Sequence, residues 1–169
     1  PLDRYADATD EVIALAEAQY GLSRDPAQRA LAGWSMGGYG CVMTALNHPG
    51  QFAAVAPVIG LLDFPRTGLP ADFSYEVPAA RFGNDPATWA ALNPITRAER
   101  LRGAAILIQT ADHAFDRVMN EHFHARLDEL GIAHRFEVLP GGHTFDVVRA
   151  ALPNVVAFVN ETLAPAGRP

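Results

Sequence analysis

The sequence predicts an α/β domain with a mostly parallel sheet flanked by helices. Three observations predict it. Helical and strand-like patterns alternate along the whole chain. Two strand candidates, Phe52 to Ile59 and Ala104 to Gln109, are short and almost wholly apolar, as in strands buried on both faces. The 169 residues, 49% hydrophobic and 19% charged, suit one packed domain spanning 1–169. No repeat, low-complexity tract or linker divides the chain.

The elements follow in order. Thr9 to Tyr20 carries Val12, Ile13, Leu15, Ala16 and Tyr20 at helical spacing, and Gly21 fits a C-terminal stop. Arg29 to Gly33 is a short apolar strand. Glycines follow it, then Tyr39 to Leu46 as a small-residue helix ended by His48-Pro49-Gly50. Phe52 to Ile59 reads as a buried strand, with Pro57 placing its end near Ala56. Gly60 to Arg102 is irregular and rich in proline and aromatics. Ala104 to Gln109 is the clearest strand. Phe115 to Leu130 is an amphipathic helix closed by Gly131, and His134 to Leu139 is the next strand. Pro140-Gly141-Gly142 makes a turn, and Phe145 to Leu163 a last helix with a kink expected at Pro153. In such a sheet, function belongs at the carboxyl ends of the strands.

Composition excludes several classes. No apolar run reaches the roughly 18 residues of a membrane helix, so no membrane span is expected. A net charge of −6 gives no footprint for nucleic acid. All thirteen basic residues are arginine, which reads as compositional bias. One cysteine, Cys41, leaves no internal disulfide and no cysteine-based zinc site. It reads as a small buried hydrophobe.

Gly33-Trp34-Ser35-Met36-Gly37 matches G-x-S-x-G between a predicted strand and a predicted helix. A serine at so sharp a turn needs neighbours without side chains, and Gly33, Gly37 and Gly38 supply them. The helix N-terminus would favour a developing oxyanion, with the Met36 amide as first donor. The plainer reading is a turn whose serine only caps the helix. A serine nucleophile needs a base, and the base needs an orienting acid. His143, on the glycine-rich turn before the last helix, is the base expected. The acid should follow the strand Ala104 to Gln109. Asp112 lies just past that strand end and is preferred. Asp116 stands nearer the helix start, where an acidic residue is commonly a cap. The order Ser35, Asp112, His143 agrees with the nucleophile–acid–base order of this serine chemistry. His113, His122 and His124 invite a metal reading. His122 and His124 are two apart on a predicted helix and face different ways, so no metal site is expected.

The segment Gly33-Trp34-Ser35-Met36-Gly37-Gly38-Tyr39-Gly40, then a helix, His48-Pro49 and Phe52, resembles the esterase D / antigen 85 group of α/β hydrolases. That group is also called the putative esterase family. Phe82-Gly83-Asn84-Asp85 with Trp89 and Asn93-Pro94 is similar to its linker. Phe123-His124, Leu127, Leu130-Gly131-Ile132 and Pro140-Gly141-Gly142-His143 are similar to its stretch between acid and histidine. The resemblance implies an α/β-hydrolase fold and cofactor-free hydrolysis of carboxylic esters or thioesters, or acyl transfer. Ser35 would carry the acyl group, His143 would act as base and acid, and Asp112 would orient His143. Family members usually have a glycine in the turn before the acid, where this chain has Gln109-Thr110-Ala111-Asp112.

The family's domain also has strands before the nucleophile strand, whereas one helix precedes it here. The expected architecture is therefore the C-terminal part of that domain, lacking the N-terminal strands. Its open sheet edge would favour self-association. Trp34, Leu62 and Phe145 are candidate substrate contacts. Leu61, Phe64, Phe73, Tyr75 and Trp89 lie in the segment that borders the pocket in the family, and core packing would explain them equally well. The partner expected is a small-molecule ester or thioester. The rival to a catalyst is a non-catalytic fragment acting by binding. A dinucleotide or flavin module lacks the required G-x-G-x-x-G.

Overall fold

The computed structural model describes residues 3–64 and 82–163, and for residues 3–7 the backbone alone. Helix α1 spans Asp3–Tyr20 and ends at Gly21, whose φ of +67° a residue with a side chain rarely adopts. Strand β1 is Ala30–Trp34 and helix α2 is Met36–Asn47. Strand β2 is Ala54–Val58. After residue 82 come helix α3, Pro86–Leu92, and a 3₁₀ stretch, Pro94–Leu101. Strand β3 is Ala105–Ala111, helix α4 Arg117–Glu129, strand β4 Arg135–Leu139 and helix α5 Phe145–Thr162.

The four strands form one parallel sheet in the order β1-β2-β3-β4. Both inner strands are buried and mostly apolar because helices cover both faces, with Gln109 and Thr110 as the buried polar residues near the end of β3. On one face Val55, Ile106 and Ile108 pack with Val42 and Leu46 of α2, Ala98 and Leu101 of the 3₁₀ stretch, and Phe123 and Leu127 of α4. On the other, Ala54, Ala56, Val58 and Leu107 meet Val147, Val148, Ala151, Val155 and Phe158 of α5. Alternation along β2 and β3 thus sends successive side chains into two cores, making a three-layer α/β/α sandwich.

One expectation about strand ends is corrected. Pro57 does not end β2 near Ala56: it pairs in register with Gly33, and the strand runs on to Val58. The Ile59 amide donates to the Gln109 carbonyl, so odd-numbered amides of β2 face β3. The missing Pro57 donor therefore falls on that side, where the β2–β3 register passes from Val55 to Val58. The ladder to β1 is untouched. Pro153 lies within α5 as expected.

Phe123 is fully buried between α4 and the sheet. Phe123→Ala is expected to lower unfolding free energy by about 3–5 kcal/mol in a urea titration. A change under about 1 kcal/mol would contradict this packing.

Candidate active site

The carboxyl ends of β1, β3 and β4 lead into the segments that carry Ser35, Asp116 and His143. Ser35 joins β1 to α2 with φ of 55° and ψ of −121°, one of two described non-glycine residues at positive φ. That conformation is strained and turns Oγ out of the chain's path. The Ser35 amide donates to the Val58 carbonyl and the Tyr39 amide to the Ser35 carbonyl, which fixes both flanks of the turn. A Cβ at Gly33 would lie 2.2 Å from the Gly37 carbonyl oxygen, and one at Gly38 would lie 2.8 Å from Cα of Gly60. Clearance is therefore needed at Gly33 and Gly38. At Gly37 a Cβ would meet nothing within 4 Å, contrary to expectation.

The Ser35 side chain makes no capping hydrogen bond to α2. Its Oγ lies 2.8 Å from His143 Nε2, and His143 Nδ1 lies 2.6 Å from Asp116 Oδ1. Phe115 packs against the imidazole at 4.5 Å between ring centres. The Asp116 side chain is 0% exposed. Its Oδ2 accepts from Thr110 Oγ1 at 3.1 Å and from Asn120 Nδ2 at 2.9 Å. Asn120 also donates to the Gly60 carbonyl, tying the acid to the end of β2.

The preference for Asp112 is therefore corrected: the carboxylate that reaches His143 is Asp116. Asp116 occupies the N-cap position of α4 but makes no side-chain cap, because its oxygens point inward. Asp112 lies at the end of β3 with Oδ1 accepting from the Gly141 amide at 2.8 Å. That hydrogen bond, with His113 and Arg117 nearby, lowers its pKa from the usual carboxylate value. Asp112 braces the glycine turn that carries His143.

Met36 is the first residue of α2, so its amide stands at the positive helix end beside Ser35. Trp34 and Phe145 meet edge to face with ring centres 6.1 Å apart, and they are 52% and 57% exposed. Met36 is exposed beside them. Leu62, a candidate substrate contact by sequence, is 0% exposed and packed in the core around α2, which corrects that expectation. Leu61, Phe64 and Trp89 are buried in a neighbouring cluster, and Phe73 and Tyr75 lie outside the described residues. Cys41 is buried, and burial pushes its thiol up to about 12. His113, His122 and His124 do not converge: His122 Nδ1 pairs with Asp63 and His124 Nδ1 with His134.

A family model described as Esterase, putative esterase, matches residues 4–159. Esterase MT1326 of Mycobacterium tuberculosis is 31% identical over 160 residues, covering 76% of this chain and 34% of that protein. The chain thus spans about a third of the length of the curated relatives it matches. Among solved structures, a ferulic acid esterase superposes with a TM-score of 0.72 at 24% identity, over 91% of this chain and 59% of that one. A Staphylococcus aureus fluorophosphonate-binding serine hydrolase superposes with a TM-score of 0.74 at 21% identity, over 90% and 62%. The architecture is that of the α/β hydrolases.

Gly33→Ala and Gly40→Ala separate steric need from composition. The first is expected to cost about 3 kcal/mol or more. The second sits in a helix with open space around it and is expected to be neutral or to gain up to about 1 kcal/mol. Denaturant midpoints measure both, and equal effects would contradict the close packing of the turn.

Proposed function

The chain belongs to the putative esterase family, and on that premise we propose that it hydrolyses carboxylic esters or thioesters through an acyl-enzyme on Ser35. The observation that carries this reading is the unbroken line from Asp116 Oδ1 through both nitrogens of His143 to Ser35 Oγ, at 2.6 and 2.8 Å. In this reading His143 Nε2 takes the Ser35 proton as Oγ attacks the acyl carbonyl. Asp116 holds the Nδ1–H tautomer and balances the imidazolium that forms. The Met36 amide and the positive end of α2 stabilise the tetrahedral oxyanion. His143 then returns the proton to the departing alkoxide or thiolate. A water, activated by the same nitrogen, releases the acid and restores Ser35.

The apolar rim of Trp34, Met36 and Phe145 favours an apolar or aromatic group on the substrate. Acyl transfer to an alcohol would use the same relay, and product analysis in an alcohol-containing buffer separates it from hydrolysis.

Turnover of p-nitrophenyl acetate tests the assignment. Ser35→Ala and Asp116→Asn are each expected to lower kcat by about 10⁴-fold. Asp112→Asn is expected to lose less than about tenfold, since it removes one partly exposed hydrogen bond. Unchanged turnover in Ser35→Ala would overturn the mechanism. An Asp112→Asn loss as deep as that of Asp116→Asn would overturn the choice of acid.

A further inference from the structure

A second cluster of donor groups is assembled at the far end of α4 from the Ser35 site. His124 and Asp128 stand one helical turn apart on α4, and His134 is the residue before β4, after the Gly131 turn reverses the chain. Among the described residues these three side chains each offer a ligand atom within 4.8 Å of the others. His124 Nδ1 lies 2.6 Å from His134 Nε2, and His124 Nε2 lies 3.6 Å from an Asp128 oxygen. We propose that His124, Asp128 and His134 bind a divalent transition-metal cation of the zinc type, which clamps α4 to β4.

The donor set suits such an ion, since two imidazoles and a carboxylate are common zinc ligands. The rings are already oriented. His134 Nδ1 faces the Ile132 carbonyl at 2.8 Å and donates its N–H there, which turns the Nε2 lone pair into the cluster. The His124 ring lies flat on Phe136, with centres 4.4 Å apart and 1° between planes. In the absence of an ion, His124 Nδ1–H donates to His134 Nε2. To ligate through Nδ1, His124 moves that proton to Nε2 by exchange with water, and no net proton leaves the pair. Two nitrogens at about 2.0–2.1 Å from a tetrahedral zinc lie about 3.3 Å apart, so the rings must part by roughly 0.7 Å. Asp128 is exposed and free to turn its carboxylate inward, and water completes the shell.

The consequence is mechanical. Asp116 stands at the other end of α4, roughly 18 Å from Asp128 along the helix, and β4 leads into the turn bearing His143. A cation here stiffens the unit that carries acid and base without touching either.

The test uses untagged, chelator-treated protein titrated with Zn²⁺ by calorimetry, with thermal unfolding alongside. One saturable ion per chain is expected, with Tm raised by roughly 5–10 °C at 100-fold excess over Kd. Asp128→Asn and His134→Gln are expected to weaken binding at least tenfold. His113→Gln, an exposed histidine elsewhere, should bind as wild type does. Asp128 is exposed, so Asp128→Asn stays folded and decides the matter even where His134→Gln unfolds. No saturable binding overturns the proposal, as does wild-type affinity in Asp128→Asn. Equal loss in His113→Gln would also overturn it.

Discussion

A carboxylate without solvent contact organises one end of this molecule. Asp116 is fully buried, and burying a charge is costly unless every oxygen is hydrogen-bonded. The protein meets that demand with Thr110 from β3, Asn120 from the next turn of α4, and the imidazole of His143. Asn120 in turn holds the Gly60 carbonyl just past β2. Asp116 therefore binds together the exits of three strands, and with them the position of His143. Removing it would leave buried donors without partners, an effect on stability as well as on chemistry.

The remaining positions are set by backbone constraints. Ser35 must take a positive φ to leave β1 and begin α2, and that turn closes only because Gly33 and Gly38 lack side chains. The parallel sheet then does the aiming, since every strand ends at the same edge of the sandwich. Asp112, hydrogen-bonded to the Gly141 amide, fixes the loop that presents His143. The two carboxylates after β3 thus have different partners: Asp116 holds the His143 ring and Asp112 holds the loop that carries it.

Much of this was legible in the amino-acid order. Alternating apolar runs announced the parallel sheet, and the glycines around Ser35 announced the turn, because a steric requirement leaves a compositional trace. Asp112 and Asp116 could not be separated that way. Both follow the strand, and distance along the chain does not say which carboxylate turns inward. The usable signal was Asn120, a buried amide four residues after Asp116 on the same helical face. Leu62 failed as a substrate contact for a related reason: an apolar residue in an irregular segment can line a cleft or fill a core, and here the core won. Pro57 reads as a strand end in the sequence because a proline removes a donor. The direction in which that missing donor would have pointed is a three-dimensional fact. The approach of His124 to His134 depends on the reversal at Gly131, and helical spacing alone does not report it.

In the proposed mechanism Ser35, His143 and Asp116 form one working relay. Intact-mass analysis after treatment with a fluorophosphonate tests it most directly, since the reagent reports only a serine whose proton has somewhere to go. A single phosphonyl adduct is expected on the wild-type chain and none on Ser35→Ala. A folded wild-type chain that takes no adduct, or a Ser35→Ala variant that still takes one, would contradict it.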